Sequence, residues 1–323
     1  MKVTIYFFLA TMLLSSISCD NTHRQKRILY INSYHEGYPT SDKVCSVIRD
    51  SVTSWGDSLK IIHMDCKHNP SSDFAEKKAK SIYEEIKHFK PDGILVSDDD
   101  AVKYVVEPYL KGSCNIPVVF CGVNWECEQY GLPCPNITGV LEVLPLETLL
   151  HRVCVLYPEA KKIAILSENT VSEQNNCRIL DTLYRKAQLE PSYFLVNDFD
   201  EWCENFMRLN EDFDIIYLPT NGAVKNWDPV MAKKVVYENI KKPVVTCDDF
   251  MMPYCVFGLT KVAEEQAVIA LRMMTDILDG KKSPEDIPVE KNKQGKAWLN
   301  TKLAGKILLD INALSDLPPE LMN

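Results

Sequence analysis

The sequence predicts an α/β fold with two similar halves, each built around a parallel sheet. Short runs of β-branched and aliphatic residues alternate with longer stretches of helical period, which is typical of βαβ units. The alternation pauses near residue 140 and then starts again. Two halves of about 115 residues each therefore fit the pattern better than one continuous sheet.

The first half contains four strand candidates separated by helical stretches. The strand candidates are Arg27–Asn32, Leu59–Met64, Ile94–Val96 and Pro117–Phe120. The helical stretches lie near 41–55, from Asp73 to Phe89 and from Ala101 to Leu110. A Pro-Asp-Gly turn precedes the third strand, as expected for Pro and Gly between regular elements.

The second half repeats this organisation with four more strand candidates and five helical stretches. The strand candidates are Lys162–Leu166, Ser192–Val196, Asp214–Leu218 and Pro243–Thr246. The helical stretches are Leu146–Leu156, Ser172–Gln188, 200–209, 228–240 and 262–279. The last of these stops at Gly280, the residue type that most often ends a helix.

Composition and charge are those of a globular protein and argue against a nucleic-acid-binding one. The chain of 323 residues is 46% apolar and 25% charged, as is usual for a globular protein. Its 36 basic and 45 acidic side chains give a formal net charge of −9. Nucleic-acid binding needs clustered Lys and Arg, so we expect no nucleic-acid partner.

The N-terminal residues predict an exported protein. One basic residue, about a dozen apolar residues and a small-residue stretch match a secretory signal over 1–18, which is too short to span a bilayer. Two cleavages remain open. An ordinary signal peptidase suits Ser16 and Ser18, whereas Cys19 resembles the acylated cysteine of bacterial lipoproteins, although Leu is preferred where Ser16 stands. We favour the lipoprotein, with Cys19 as the lipidated residue and residues 19–26 as a polar tether.

The cysteines predict little beyond buried thiols. Of the 12 cysteines, 11 follow Cys19, so at least one of these is unpaired or pairs between chains, and no C-x-x-C occurs. Several lie in apolar runs, where a free cysteine acts as a small hydrophobe. We expect mostly buried thiols with one or two disulfides.

No catalytic or metal-binding motif stands out. The sequence lacks G-x-S-x-G, G-x-G-x-x-G, a Walker A loop and H-E-x-x-H, so we expect no enzyme and no cofactor. His63-x-x-Cys66-x-His68 is the most metal-like cluster, but a strand through Met64 would not bring all three side chains together. The run Asp98-Asp99-Asp100 lacks the spaced ligands of an EF-hand. We therefore expect no metal.

Polar and aromatic side chains follow the carboxyl ends of the predicted strands, where open parallel sheets bind ligands. In the two halves these include Ser33, Tyr34, Tyr38, Asp98, Asp99, Asn124, Glu168, Thr220, Asn221 and Asp248. Ser and Asp in such places are also the usual helix N-caps, so no single residue establishes a site. Their recurrence in both halves is what a small polar ligand held between two lobes requires.

Five stretches of the sequence occur in the same order in a known bacterial family. They are Leu29–Pro39 (LYINSYHEGYP), Met64–Lys67 (MDCK), Ser97–Val102 (SDDDAV), Pro117–Glu142 (with PVVFCGVN and NITGVLE) and Trp298–Ala304 (WLNTKLA). The chain thereby resembles the ABC-transporter substrate-binding proteins that include tryptophan- and tyrosine-binding members. The closest likeness is to a branch that also forms the extracytoplasmic sensors of histidine kinases. Trp125-Glu126 favours this branch, since transporter-type members often carry Asp-Pro there.

This resemblance implies the type I periplasmic-binding-protein fold, in which two Rossmann-like lobes joined by a hinge close on a ligand. It implies an N-terminal lobe of 27–140 to which about 260–287 return, a C-terminal lobe of 141–259 and a terminal segment of 288–323. The first-lobe contacts that it implies are Ser33, Tyr34, Tyr38, Asp98, Asp99 and Asn124, with Glu142 just past the crossover. The second-lobe candidates Glu168, Thr220, Asn221 and Asp248 depend more on topology than on motif.

The expected function is that of an exported solute-binding lipoprotein that delivers a small polar ligand to an ABC permease. The alternative is a sensor subunit that reports its ligand to a membrane receptor such as a histidine kinase. Either protein would face the periplasm or the cell exterior and would contact the membrane only through its lipid. The acidic candidates Asp98, Asp99, Glu168 and Asp248 favour a ligand that carries an amine.

Overall fold

The computed structural model describes residues 24–112, 115–309 and 319–322. The predicted signal peptide, Cys19 and the first part of the predicted tether lie outside these residues. Among the described residues, no helix has both the length and the apolar character needed to cross a membrane.

The first sheet is parallel and begins with the five strands that open the chain. The strands are β1 (Arg27–Asn32), β2 (Ser58–His63), β3 (Gly93–Ser97), β4 (Val118–Asn124) and β5 (Ile137–Glu142). The helices are α1 (Pro39–Ser54), α2 (Ser72–Phe89) and α3 (Asp98–Ala101), which continues as a π-helical segment, Val102–Leu110, with Pro108 inside it. The strand order is β5-β4-β3-β1-β2, so the carboxyl ends of these strands share one edge.

The second sheet repeats the arrangement. Its strands are β6 (Lys162–Glu168), β7 (Glu190–Val196), β8 (Ile215–Tyr217), β9 (Val244–Thr246) and β10 (Phe257–Lys261). Its helices are α4 (Leu146–Leu156), α5 (Val171–Lys186), α6 (Phe199–Asp212) and α7 (Pro229–Asn239). The strands pair in parallel in the order β7-β6-β8-β9-β10.

The remaining elements are shared between the two sheets. They are α8 (Ala263–Leu278), β11 (Glu290–Lys291), β12 (Gly295–Asn300), α9 (Thr301–Lys306) and β13 (Glu320–Met322). Helix α8 packs on the first sheet, where Ala267, Ala270 and Met274 join the same buried cluster as Ile28 and Tyr30. Strand β11 pairs with β5, whereas β12 pairs antiparallel with β10 and β13 extends the second sheet beside β12.

The chain therefore crosses between the sheets three times, after β5, after β10 and after β11. Two of the crossings are tied together, because Val143 N donates to Asn292 Oδ1 at 2.7 Å and Asn292 Nδ2 donates to Val143 O at 3.1 Å. A third contact joins Glu265 to the backbone N–H of Lys293 at 3.1 Å. These bonds hold the crossings side by side, as a hinge between two lobes requires.

The predicted α/β architecture of two parallel sheets is confirmed, and most of the predicted elements lie within a few residues of their expected bounds. Helix α4 coincides with its prediction at Leu146–Leu156. The patterns do not predict β5, β10 or the terminal strands. In β5, Thr138 and Gly139 interrupt the apolar run, and Gly139 is needed because a Cβ there would lie 2.4 Å from Cγ of Phe120.

Candidate ligand-binding cleft

The carboxyl edges of the two sheets face each other, and side chains from the two lobes are in direct contact. Tyr38, at the N-terminus of α1, hydrogen-bonds through its hydroxyl to Thr220 Oγ1 at 3.0 Å, in the loop after β8. Lys67 of the first lobe forms a buried ion pair with Glu168 at the end of β6. The structure is therefore a closed form of the cleft.

The Lys67–Glu168 pair is the most deeply buried of these contacts. The two side chains are 5% and 0% exposed. Burial lowers the pKa of Lys67, but the charge of Glu168, the hydrogen bond to it and the nearby Tyr38 and Glu173 together raise that pKa by more, so the ammonium stays charged. Glu168 also accepts a hydrogen bond from Ala223 N at 2.6 Å, and Lys67 Nζ lies 4.8 Å from the ring centre of Tyr34.

The three consecutive aspartates after β3 have different environments. Asp99 is engaged within its own lobe, since it accepts hydrogen bonds from Asn124 Nδ2 at 2.6 Å and from the Tyr130 hydroxyl at 2.8 Å. Asp98 has a positive φ of 69°, and its carboxylate lies beside Gly122, where a Cβ would be 3.1 Å from Oδ1. No described residue donates a hydrogen bond to the side chain of Asp98 or of Asp100.

Electrostatics single out Asp98. Burial, followed by the negative charges of Glu142 and Asp99, raises the pKa of the Asp98 carboxyl well above its ordinary value. The positive charges of Lys261 and Lys67 oppose this increase. Asp98 thus lies within electrostatic reach of both lysines while pairing with neither.

A second buried charge cluster lies where β5 and β10 end. Lys261, at the end of β10, forms ion pairs with Glu142, at the end of β5, and with Asp248 at 3.2 Å. Burial raises the pKa of Asp248 to about 6, against the opposing influence of Lys261. This cluster joins the hinge region to the loop after β9.

Other predicted site residues have partners inside the first lobe. Ser33 Oγ donates to Ser97 O at 2.7 Å and accepts from Ala101 N at 2.8 Å, so this side chain fixes the start of α3. Asn124 donates hydrogen bonds to Asp99 Oδ2 from both its backbone N–H and its side-chain amide. These contacts give Ser33 and Asn124 structural roles in this closed form.

Beside the Tyr38–Thr220 contact lies a cavity of about 440 Å³ between the lobes. Its wall includes His35 and His68 from the first lobe and Asn221, Gly222 and Trp227 from the second. Cavities of this volume are of the size that binds small molecules. The structure thus brings one group of predicted residues to the interface of the lobes: Tyr34, Tyr38, Asp98, Glu142, Glu168, Thr220, Asn221 and Asp248.

The ligand contacts predicted from the sequence do not include Lys43, Lys67, Asp100, Lys261 or Gly222, although Asp100 and Gly222 follow predicted strand ends. Lys43 forms an ion pair with Asp249 across the cleft, as Lys67 does with Glu168. Of the three lysines, only Lys67 lies in a recognised stretch, MDCK. A lysine on a loop resembles any solvated lysine until its partner on the other lobe is known.

The structure does not bring His63, Cys66 and His68, the most metal-like cluster of the sequence, together around one point. His63 Nδ1 lies 3.2 Å from Tyr34 O, and Cys66 is buried in the first-lobe core, where burial raises the pKa of its thiol to about 12. The third member, His68, faces Asp65 and His35 instead. The ten cysteines that the structure describes are free, so it shows no disulfide among them.

Comparisons with known proteins agree with this architecture. A family model described as ABC transporter substrate binding protein matches residues 64–315. A tyrosine-binding protein of Clostridioides difficile (strain R20291) is 27% identical over 214 residues, which are 60% of this chain and 59% of that relative. The chain therefore matches about three fifths of the curated relative's length.

Two solved structures are similar in fold. The ABC domain in complex with L-Trp from Streptococcus pneumonia has a TM-score of 0.69 at 17% identity, covering 91% of this chain and 100% of that one. The ligand-free, open structure of a Clostridium difficile substrate-binding protein with adhesive properties has a TM-score of 0.66 at 16% identity, covering 92% and 99%. Since the family model matches more than three quarters of the chain, the protein belongs to the ABC transporter substrate-binding protein family, with the type I periplasmic-binding-protein fold.

Proposed function

We propose that this protein captures a free amino acid in the cleft between its lobes and delivers it to an ABC permease. The relatives support an amino-acid ligand, because one is named for tyrosine binding and a solved neighbour holds L-Trp. That a similar protein has an open structure supports a cleft that opens and closes about its hinge. The ligand is bound without chemical change, and closure is the mechanism.

The carboxylate of Asp98 is the observation that carries the proposal. It is a half-buried acid with no hydrogen-bond donor among the described residues, and Glu142 adds a second negative charge nearby. An ammonium group placed against Asp98 would supply the missing donor and favour the ionised carboxyl. We assign Asp98 to the amino group of the ligand.

Two residues of the second lobe form contacts with the first lobe across the closed cleft. Thr220 and Glu168 contact Tyr38 and Lys67 across the cleft in this closed form, and opening of the cleft would separate these pairs. A bound solute stabilises these cross-lobe contacts by holding the lobes closed. We propose that the lobes of 27–140 with about 260–287, and of 141–259, move as the two bodies of this closure.

A thermal-shift screen tests the ligand class. The purified protein is heated with each of the twenty L-amino acids and with hydroxy-acid analogues in which OH replaces the ammonium group. A ligand at 100 times its dissociation constant adds roughly 2.7 kcal/mol to the free energy of unfolding, which raises Tm by several degrees. We expect a selective shift with one or a few amino acids and none with their hydroxy-acid analogues. Equal shifts with both compounds would contradict the role of Asp98.

The membrane partner and the anchor are separate parts of the proposal. Trp125-Glu126 favours the alternative partner, a membrane receptor such as a histidine kinase, and Trp125 packs against the core of the second lobe. Affinity capture from detergent-solubilised membranes of the source cells, with the ligand present, distinguishes the two, because transport requires a permease in the captured fraction. For the anchor, Cys19→Ser should release the protein from membranes and remove the lipid from its N-terminal peptide.

A further inference from the structure

Three metal-ligating side chains meet at the rim of the first lobe, on two loops that the sequence places about 30 residues apart. His35 lies on the loop after β1, whereas Asp65 and His68 lie on the loop after β2. The Nδ1 atoms of His35 and His68 lie 3.7 and 2.8 Å from the same oxygen, Asp65 Oδ1. The two imidazole rings stack with their centres 3.7 Å apart and an angle of 21° between their planes.

The two loops are held in place by contacts that do not use these donors. Cys66 N donates to Ser33 O at 3.0 Å, which joins the loops through their backbones. Asn69 Nδ2 donates to Asp65 Oδ2 at 3.0 Å, so the second carboxylate oxygen is fixed while Oδ1 remains directed at the imidazoles. An outer partner of this kind is usual for a carboxylate that binds a metal.

Hydrogen bonding accounts for only part of this arrangement. His68 Nδ1 is close enough to Asp65 for a hydrogen bond, but His35 Nδ1 is buried and has no hydrogen-bond partner in the described chain. A cation between the three side chains would satisfy that nitrogen. Zn–N and Zn–O bonds of about 2.0–2.2 Å place tetrahedral ligands roughly 3.4 Å apart. One donor atom from each side chain lies within 4.8 Å of the others, so the ion would draw the donors together and turn one imidazole out of the stack until both nitrogens point at it.

We propose that His35, Asp65 and His68 form a binding site for a zinc ion on the first lobe. Two imidazoles and one carboxylate suit zinc and the neighbouring late transition metals, whereas calcium and magnesium prefer oxygen ligands alone. Three protein ligands leave one tetrahedral position open. Both histidines line the 440 Å³ cavity between the lobes, which gives water or a donor group of a bound molecule access to the ion. The site lies within one lobe and does not depend on which solute the cleft binds.

Zinc titration of the metal-free protein tests the site. The purified full chain is dialysed against chelator and titrated with ZnCl₂ in a calorimeter, with excess calcium and magnesium present. We expect one ion per chain at micromolar zinc or below. His35→Gln and His68→Gln should each weaken binding by more than the roughly 10–100-fold that follows loss of an outer partner. His88→Gln, an exposed histidine on α2, is the matched control and should leave binding unchanged.

Cobalt substitution excludes the cysteines as the source of the signal. Co²⁺ at the proposed site should give weak visible bands without a thiolate charge-transfer band. If either histidine variant unfolds, Asn69→Ala retains all three donors and should lower the zinc affinity roughly 10–100-fold. The proposal is wrong if the protein binds no zinc at 100 μM, if both histidine variants bind as the unchanged protein does, or if the cobalt spectrum shows thiolate ligation.

Discussion

Replacing Gly222 with alanine should prevent the lobes from closing fully while leaving each lobe folded. Gly222 lies in the second lobe against the ring of Tyr38 from the first. A Cβ at this position would lie 2.1 Å from Cε2 and 2.9 Å from Cδ2 of Tyr38. No positive φ is recorded for Gly222, so its backbone accepts alanine and the clash arises only between lobes.

The size of the effect follows from this contact. To restore ordinary contact distances, the ring must rotate or the lobes must separate by more than 1 Å at this point, and either movement weakens the Tyr38–Thr220 hydrogen bond. Overpacking of this kind costs about 1–3 kcal/mol, and the hydrogen bond about 0.5–1.5 kcal/mol more. Together these costs are about 1.5–4.5 kcal/mol. If ligand binding requires closure, the affinity should therefore fall roughly 10- to 1,600-fold, at 1.4 kcal/mol for each tenfold.

Calorimetric titration with the amino acid selected in the thermal-shift screen measures the affinity, and small-angle X-ray scattering measures closure by the radius of gyration. Gly305→Ala is the matched control, because no atom lies within 4 Å of its added Cβ and its position in α9 is exposed. We expect the Tm without ligand to be unchanged for Gly222→Ala. Unchanged affinity and a normal compaction with ligand would refute the argument that Gly222 permits closure.

Three further predictions concern the charges and thiols. Lys67→Met should weaken ligand binding in calorimetric titrations, since breaking a buried ion pair costs about 3–5 kcal/mol. Adding Glu168→Gln to the same chain should partly restore the affinity, because it removes the unpaired carboxylate. Independent, additive effects of the two changes would contradict this prediction. Because the pKa of Asp98 is raised, affinity for an ammonium ligand should fall as the pH is lowered through that pKa. Asp98→Asn should lower the affinity roughly 10- to 150-fold, from about 1.5–3 kcal/mol for a charged hydrogen bond, and abolish the pH dependence, whereas the exposed Asp50→Asn should do neither. Dithiothreitol should leave Tm unchanged, because the described cysteines are free; a decrease of several degrees would reveal a disulfide, which contributes about 2–4 kcal/mol.

Local sequence patterns predict much of the fold. The alternation of apolar strands with amphipathic helices predicts the two parallel sheets, because burial on both faces and helical period are properties of short segments. The local patterns do not predict strands such as β5 and β12, because these strands lack a continuous apolar run. They carry Gly, Thr or Lys within the run, and neighbouring strands supply the hydrogen bonds that define them.

The sequence predicts the candidate site only as a set of loops that follow strand ends, without the contacts between individual side chains. Topology places the residues after parallel strands at one edge, so the sequence could identify the loops that meet. It could not pair Lys67 with Glu168, which are separated by 101 residues, or Lys261 with Glu142, separated by 119. These pairs depend on how the two lobes close, and no local pattern encodes that geometry.

By itself, the sequence determined the architecture of this protein, its family resemblance and the loops in which polar groups gather. Only the tertiary structure decided what each of those groups does. Asp98 and Asp99 are chemically identical neighbours, yet Asp99 accepts hydrogen bonds from Asn124 and Tyr130 while Asp98 has no donor among the described residues. The physical reason is that a carboxylate's role depends on the donors and charges within a few ångströms of it, and these come from segments distant in the chain.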